Sequence, residues 1–211
     1  MSNATQVLVI AEAGVNHNGN LDIAKQLVDI AAEAGADLVK FQTFNADKVA
    51  SHEAQKARYQ SRNDFVSEAD SQLEMLRRLQ LSEVEHTILL EYCASRGIGF
   101  FSTGFDLDSL DFLNELGLPR FKVPSGEITN LPYLRRVAGF GREIILSTGM
   151  ASMGDIEAAI EVIEAVGLPR NSITVLHCTS EYPAPFAEVN LHAMKTIARA
   201  FGVRVGYSDH T

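Results

Sequence analysis

The 211-residue sequence is poor in cysteine and in positive charge, and each shortage excludes a class of protein. Its two cysteines, Cys93 and Cys178, are too few for a disulfide framework or a zinc-ligand pattern, which agrees with a reducing cytosol. The net charge of −9 and the lack of a basic stripe argue against a nucleic-acid partner. No apolar run reaches the length of a membrane span, and the first residues do not resemble a signal peptide. We therefore expect a cytoplasmic protein with no membrane or nucleic-acid partner.

Short apolar strands alternate with amphipathic helices along the chain. Such alternation is typical of βαβ units and a parallel sheet, either open or closed into a barrel. No Gly-x-Gly-x-x-Gly follows the first strand, which argues against a dinucleotide-binding sheet. A closed barrel has eight strands, so the pattern predicts a TIM-type (β/α)8 barrel truncated after strand seven. We expect residues 1–211 to form one barrel domain, incomplete at its C-terminus, with strands at 7–13, 37–44, 100–103, 120–123, 143–147, 173–178 and 203–208.

Polar residues recur where each predicted strand ends. In a (β/α) barrel the C-terminal ends of the strands form the active site, so convergence from seven strands predicts an enzyme. The long polar connection at 45–80 is typical of an active-site lid or a binding loop. The strand-end residues are Glu12, Lys40, Gln42, Ser102, Thr103, Lys122, Ser125, Glu127, Ser147, Thr148, Thr179, Ser180, Ser208, Asp209 and His210.

Lys40 and Lys122 lie at the ends of apolar strands, where lysine needs a partner. Each could pair with Glu12 or Glu127, bind a phosphate or carboxylate, or form a Schiff base. An acidic protein that binds an anion needs locally placed cations, which favours anion binding. The hydroxyl pairs that follow the strands either cap helices or, with helix N-termini, surround phosphate oxygens. These are Ser102-Thr103, Ser125-Gly126 and Ser147-Thr148-Gly149.

Glu12 and Glu127 are candidates for acid–base catalysis, with the alternative that each is only a counter-ion of a lysine. His210 follows the seventh strand beside Asp209, as a metal ligand or proton carrier would. His17 lies in the turn after strand one, facing the site or making a local turn hydrogen bond. His52, His86 and His192 are predicted to be exposed. We expect His177 in the core and Cys178 as a buried small apolar residue rather than a nucleophile.

Five segments together resemble the signature segments of the sialic acid synthase family. They occur in the order of that family and cover nearly the whole chain, and residues 55–81 resemble its lid. The segments are AEAGVNHNG (11–19), VKFQT (39–43), KVPSGE (122–127), HCTSEYP (177–183) and GYSDHT (206–211).

The resemblance implies condensation of phosphoenolpyruvate with an N-acylated mannosamine-type sugar, giving a nine-carbon 2-keto acid and phosphate. It also implies a divalent cation, Mn²⁺ or Mg²⁺. Members of the family form homodimers in which a C-terminal antifreeze-like domain, absent from these 211 residues, reaches the partner's site. The second metal-binding histidine of the family is expected beyond Thr211.

The resemblance assigns roles by motif. Ser180 departs from the asparagine that some members have. Glu12, Glu127 and His210 are the catalytic candidates, with Glu12 and His210 at or near the metal and His210 as its ligand. Gln42, Glu127, Tyr182 and Asp209 would contact the sugar. Phosphoenolpyruvate would be held by Lys40, Ser102 or Thr103, Lys122, Ser125, Ser180 and Ser208.

Three other functions remain open at this point. One is a legionaminate-type synthase, whose acceptor carries a second acylamino group. Another is condensation with a sugar phosphate, for which Arg58 or Arg62 could bind the acceptor's phosphate. The third is an inactive barrel fragment that acts only as a binding or scaffold protein.

Overall fold

A computed structural model describes residues 7–50 and 71–211. His52, Arg58, Arg62 and most of the predicted lid lie outside the described residues. The chain divides into two compact units, Met1–Thr103 and Gly104–Thr211, and each is described by itself.

The first unit carries a three-stranded sheet in the order β1–β2–β3, with β1 and β2 parallel. Its helices connect the strands as a βαβ pattern requires. The elements are β1 (Ile10–Gly14), α1 (Leu21–Glu33), β2 (Leu38–Thr43), α2 (Ala46–Val49), α3 (Gln72–Leu79), α4 (Glu83–Ser95) and β3 (Gly99–Gly104).

The second unit carries a four-stranded parallel sheet in the order β4–β5–β6–β7. Every neighbouring pair in this order is also consecutive in sequence, as in repeated βαβ units. The elements are α5 (Leu107–Glu115), β4 (Arg120–Val123), α6 (Leu131–Gly139), β5 (Glu143–Ser147), α7 (Met153–Ala165), β6 (Ile173–Cys178), α8 (His192–Phe201) and β7 (Arg204–Ser208).

The predicted α/β class with parallel strands is confirmed, and β4, β5 and β6 have the predicted bounds. The first strand is shorter than predicted. It begins at Ile10 rather than at residue 7, and Val7, Leu8 and Val9 are exposed. An apolar run predicts a strand but does not locate the residue at which hydrogen bonding to the neighbouring strand begins.

Side-chain caps begin several helices. The predicted capping box at Ser82 is present, because Ser82 Oγ accepts from Glu85 N–H at 3.3 Å and Glu85 accepts from Ser82 N–H at 2.7 Å. Ser152 and Asp155 form the same arrangement at the start of α7. Each cap satisfies backbone donors that no helical carbonyl can reach.

Burial differs between strands, because β2 alternates between half-buried and buried residues whereas β5 is buried at four consecutive positions. In β5 the consecutive residues Ile144, Ile145 and Leu146 are all buried, so both faces of that strand contact other groups. Burial of one such side chain contributes about 1.5–3 kcal/mol. Among the described residues, no helix has the length and apolar character to cross a membrane.

Candidate active site

The C-terminal ends of β1, β2 and β3 bring together Glu12, Lys40 and Thr103. Glu12 and Lys40 are register partners on neighbouring strands, and their side chains form an ion pair. Lys40 Nζ also lies 3.4 Å from Thr103 Oγ1. The Lys40 side chain is 14% exposed and that of Glu12 is 50% exposed. The predicted counter-ion pair is therefore present, and it leaves an ammonium group at the edge of the sheet with a hydroxyl beside it.

Gln42 belongs to the same cluster. Successive side chains in a strand point to opposite faces, so Lys40 and Gln42 share one face of β2. The backbone of Gly14 passes close to this face. A methyl group added at Gly14 would lie 3.2 Å from Glu12 Oε1 and 3.6 Å from Gln42 Nε2. Gly14 also has a φ of +54°, so glycine suits both the crowding and the backbone conformation there.

Ser102 lies on the opposite face of β3 from Thr103, away from Lys40. Its Oγ is 2.7 Å from Thr43 Oγ1, which in turn is 2.9 Å from His86 Nε2. All three residues are buried. The sequence offered Ser102 and Thr103 as equivalent candidates, but the structure brings only Thr103 to Lys40.

The prediction that His86 is exposed is wrong. His86 is 1% exposed, because α4 packs this face against the sheet and the ring lies 6.3 Å from that of Phe100. Its Nδ1 is 2.9 Å from the carbonyl oxygen of Ser82. From sequence alone, a histidine on a helix is predicted to face solvent. A polar partner on the sheet is the signal that it faces inward. Thr43, a polar residue on the apolar face of β2, is that partner.

His17 is fully buried in the turn after β1. Its Nδ1 accepts a hydrogen bond from Gly19 N–H at 3.0 Å, which confirms the local turn bond. Among residues 7–50 and 71–211, its Nε2 meets no hydrogen-bond partner. Burial lowers the pKa of His17, and the nearby His86 lowers it further. Burial likewise lowers the pKa of His86.

In the second unit, Lys122 ends β4 with only 7% of its surface exposed. Its Nζ donates to Ser147 Oγ at 2.6 Å and to the Val123 carbonyl oxygen at 3.0 Å. Both acceptors are uncharged. Apolar neighbours on β4 and β5 thus hold a desolvated ammonium group among hydroxyl and carbonyl oxygens.

Ser125, Gly149 and Ser180 surround one small space at the ends of β4, β5 and β6. Gly149 N–H donates to Ser125 Oγ at 2.9 Å. A methyl group at Gly149 would lie 2.8 Å from Ser180 Oγ and 2.9 Å from Ser125 Oγ. Cys178 is buried as predicted, and its Sγ lies 3.4 Å from Ser125 Oγ. Two hydroxyls and a backbone N–H therefore converge where only glycine fits.

The alternative that the strand-end hydroxyls cap helices is wrong for Ser147 and Thr148. The cap of α7 is Ser152. Ser147 accepts from Lys122, and Thr148 donates to the Leu176 carbonyl oxygen at 2.9 Å. These side chains join neighbouring strands instead.

His210 is held at the end of β7. Its Nδ1 is 2.5 Å from the Thr179 carbonyl oxygen, and its Nε2 is 3.2 Å from Ser208 Oγ and 3.1 Å from Tyr182 Oη. The His210 and Tyr182 rings stack with centroids 4.1 Å apart. Because a carbonyl only accepts, the proton of neutral His210 lies on Nδ1 and the lone pair on Nε2.

Two candidate carboxylates, Asp209 and Glu127, follow β7 and β4 in the sequence. Asp209 accepts from Thr211 N–H at 3.0 Å and from Thr211 Oγ1 at 2.9 Å, and these bonds lower the pKa of Asp209. Glu127 follows β4 in a short 3-10 helix and accepts from Asn130 Nδ2 at 2.6 Å. The pair of Glu127 with Lys122 stays a prediction.

Metal-ligating histidines usually donate their second ring N–H to a carbonyl, and His210 has that arrangement. Within residues 7–50 and 71–211, however, no group of three or more histidine, cysteine, aspartate or glutamate side chains could hold a metal ion. His210 fits the role of one ligand, and the described residues do not complete a set.

His177, predicted to be in the core, is partly exposed, with Nε2 2.7 Å from the Val189 carbonyl oxygen. His192 is exposed as predicted.

Comparison with known proteins identifies one family and related synthases. The NeuB family matches residues 27–211. The chain is 54% identical over 206 residues to N,N'-diacetyllegionaminic acid synthase of Campylobacter jejuni, covering 98% of this chain and 61% of that protein. It is 50% identical to the protein of the same name from Legionella pneumophila, covering 96% of this chain and 57% of that one. The chain thus spans about three fifths of the length of these relatives.

A solved structure matches over the same range. The chain resembles N-acetylneuraminic acid (sialic acid) synthetase of Leptospira borgpetersenii in complex with citrate, with a TM-score of 0.83 and 32% identity. The match covers 97% of this chain and 65% of that one.

Proposed function

Because the chain belongs to the NeuB family, we propose that its protein condenses phosphoenolpyruvate with an N-acylated amino sugar. The products are a nine-carbon 2-keto acid, as in sialic acids, and inorganic phosphate. The observation that carries the proposal is the pair of lysines, Lys40 within β2 and Lys122 near the end of β4, each with its ammonium group beside a hydroxyl. In a protein of net charge −9 they are cations placed for an anion.

The acceptor that we favour is of the legionaminate type, with two acylamino groups. Support comes from identity of 54% and 50% to two N,N'-diacetyllegionaminic acid synthases, against 32% to the sialic acid synthetase. A mannosamine-type acceptor with one acylamino group uses the same chemistry. A panel of acceptors distinguishes the two.

Phosphoenolpyruvate is proposed to lie between fixed donors. In the second unit its oxygens would contact Lys122, Ser125, Ser180 and Ser208. In the first unit, Lys40 and Thr103 are proposed by themselves as contacts for an anionic oxygen. These groups are held by the strands before the ligand arrives, so positioning and electrostatic stabilisation supply most of the catalysis.

The proposed reaction forms one carbon–carbon bond. C3 of the enol phosphate attacks the aldehyde carbon of the open-chain sugar, whose oxygen takes up a proton. Water adds its oxygen to C2 and loses a proton, and the resulting tetrahedral species expels inorganic phosphate to give the 2-keto acid. Glu127 is proposed to open the sugar ring or move these protons, with Glu12 as second candidate. Gln42, Tyr182 and Asp209 are proposed to hold the sugar.

A divalent ion, Mn²⁺ or Mg²⁺, would polarise the sugar aldehyde as a Lewis acid. We propose His210 as one ligand, because Thr179 fixes its Nδ1–H and a metal would take the Nε2 lone pair in place of the Ser208 and Tyr182 hydroxyls. Ser208 and Tyr182 hold that nitrogen in place through their hydroxyls.

We propose that the strands belong to one TIM-type (β/α)8 barrel domain in a homodimer. Support for the barrel is the TM-score of 0.83 to the sialic acid synthetase. A cytosolic location agrees with two buried free cysteines.

A phosphate-release assay tests the proposal. Phosphoenolpyruvate, Mn²⁺ and a panel of mono- and diacylated sugars are supplied, and phosphate and the 2-keto acid are both measured. We expect equal amounts of the two with the wild-type protein and loss of both in Lys122→Ala. Lys195→Ala, at an exposed position of α8, is the matched control. Phosphate release without the keto acid, or an active Lys122→Ala, would contradict the assignment.

A further inference from the structure

A chain of buried hydrogen bonds lies directly behind the Lys40 cluster. It begins at the carbonyl of Ser82, at the start of α4, and passes through His86 and Thr43 to Ser102. Its links measure 2.9, 2.9 and 2.7 Å. None of these side chains has a role in the proposed chemistry, yet burying so many polar groups is costly unless each is satisfied.

The carbonyl fixes the direction of the chain. The Ser82 oxygen only accepts, so we assign the His86 proton to Nδ1, which leaves a lone pair at Nε2 for the Thr43 hydroxyl. Burial lowers the pKa of His86, which favours the neutral ring. Thr43 then donates its hydroxyl proton to His86 and accepts one from Ser102. Each hydroxyl is thereby committed to one partner and one orientation.

The position of the chain connects it to the site. Thr43 directly follows Gln42 at the end of β2, and Ser102 directly precedes Thr103 near the end of β3. The bond between their hydroxyls therefore ties β2 to β3 from the helix-covered face. On the opposite face, and within one residue, lie Gln42 and Thr103. Lys40 lies two residues before Gln42, on the same face of β2.

We propose that His86 and Thr43 are positioning residues for the anion site. Through Ser102 they hold β2 and β3 in the alignment that places Lys40 Nζ beside Thr103 Oγ1. Ser102 then serves the site through the sheet and makes no contact with the ligand itself. The inference rests on the proposed function only in taking phosphoenolpyruvate as the anion.

Substitutions at Thr43 separate hydrogen bonding from packing. Thr43→Val keeps the shape and loses the hydroxyl, whereas Thr43→Ser keeps the hydroxyl and loses a methyl group. Calorimetric titration with phosphoenolpyruvate should show Thr43→Val about 10- to 100-fold weaker than wild type, the usual effect of losing a residue that orients a ligand contact. Thr43→Ser should bind within about threefold of wild type. Thr87→Val removes an exposed hydroxyl from α4, the helix that carries His86, and should bind phosphoenolpyruvate as wild type does.

A ligand-free measurement tests the positioning by itself. Amide hydrogen exchange in β2 and β3 should be at least about tenfold faster in Thr43→Val than in Thr43→Ser. Nitrogen-15 shifts of the His86 ring should show the proton on Nδ1. Exchange that is equal in the two variants, or a proton on Nε2 of neutral His86, would overturn the proposal.

The two proposals fail in different ways. If Lys40→Met binds phosphoenolpyruvate as wild type does, the proposed anion site at Lys40 is wrong, and the exchange comparison still decides the role of Thr43. If Lys40→Met abolishes binding but Thr43→Val does not weaken it, the positioning role is wrong and the anion site stands.

Discussion

Replacing Lys122 by methionine should weaken anion binding without weakening the fold. The methionine side chain has nearly the length and apolar body of the lysine stem but carries no charge. Lys122 is 7% exposed, so the change occurs inside the packed end of β4. The neighbouring backbone should keep its position. Lys122→Met therefore tests the charge alone, whereas Lys122→Ala also removes the packing of the side chain.

The expected loss of affinity follows from the type of contact. A hydrogen bond from an ammonium group to an anionic oxygen contributes about 1.5–3 kcal/mol. Its removal should raise the dissociation constant for phosphoenolpyruvate roughly 10- to 150-fold.

Stability should respond differently. Two hydrogen bonds of Lys122 go to uncharged oxygens, of Ser147 and Val123, and the desolvated charge carries a cost that methionine does not. Removing it compensates for the lost bonds, so the free energy of unfolding should change by less than about 2 kcal/mol.

Calorimetric titration and urea unfolding of the same preparations measure both quantities. Lys195→Met, on exposed α8, controls for the loss of one positive charge in the overall field. Unchanged affinity in Lys122→Met would refute the idea that this ammonium group contacts the anion. A loss of affinity matched by Lys195→Met would assign the effect to net charge.

Two further predictions concern the buried histidines and the glycine at β5. His17 and His86 have pKa values lowered by burial, so the unfolded chain binds protons that the fold does not; the free energy of unfolding should fall as pH drops below about 6.5, by at most about 1.4 kcal/mol per pH unit for each histidine. Urea unfolding between pH 5 and 8 measures this slope. Gly149→Ala should weaken phosphoenolpyruvate binding about tenfold, because the new methyl group displaces the Ser125 and Ser180 hydroxyls. Titration calorimetry measures that change.

Matched controls exist for both. His192→Gln removes an exposed histidine and should leave the pH slope unchanged. The groups that oppose the lowering of these pKa values are Glu85 near both rings, Glu83 near His86, and the backbone at Gly14, Ser82 and Gln42. If the free energy of unfolding does not vary between pH 5 and 6.5, burial does not lower the pKa values of His17 and His86. Gly154→Ala, in α7, meets only Ser152 Oγ at 3.7 Å and should bind normally; equal weakening in both glycine variants would point to a general effect.

Short-range patterns predicted much of the fold. The bounds of β4, β5 and β6 follow from apolar runs of strand length between turn residues, and the cap at Ser82 follows from its four-residue pattern. Such features depend on residues a few positions apart. The placement of lysines and hydroxyls at strand ends was equally visible, since parallel strands bring their C-terminal ends to the same edge.

Residue pairs distant in sequence were not predictable in the same way. His86 was expected on the surface because a helix pattern does not say which polar residue faces the sheet. Thr43 and His86 are 43 positions apart in the sequence, and no local pattern signals their hydrogen bond. Likewise Ser147 and Thr148 read as helix caps, although both bond to neighbouring strands.

By itself the sequence determined the alternation of strands and helices, the resemblance to sialic acid synthases, and the strand-end residues that an anion site would use. These depend on local periodicity and on motif order. Only the tertiary structure decided that Thr103 stands beside Lys40 while Ser102 joins Thr43 and His86, because adjacent residues of a strand face opposite sides of the sheet. Which side holds the site is fixed by packing against helices whose positions no short segment specifies.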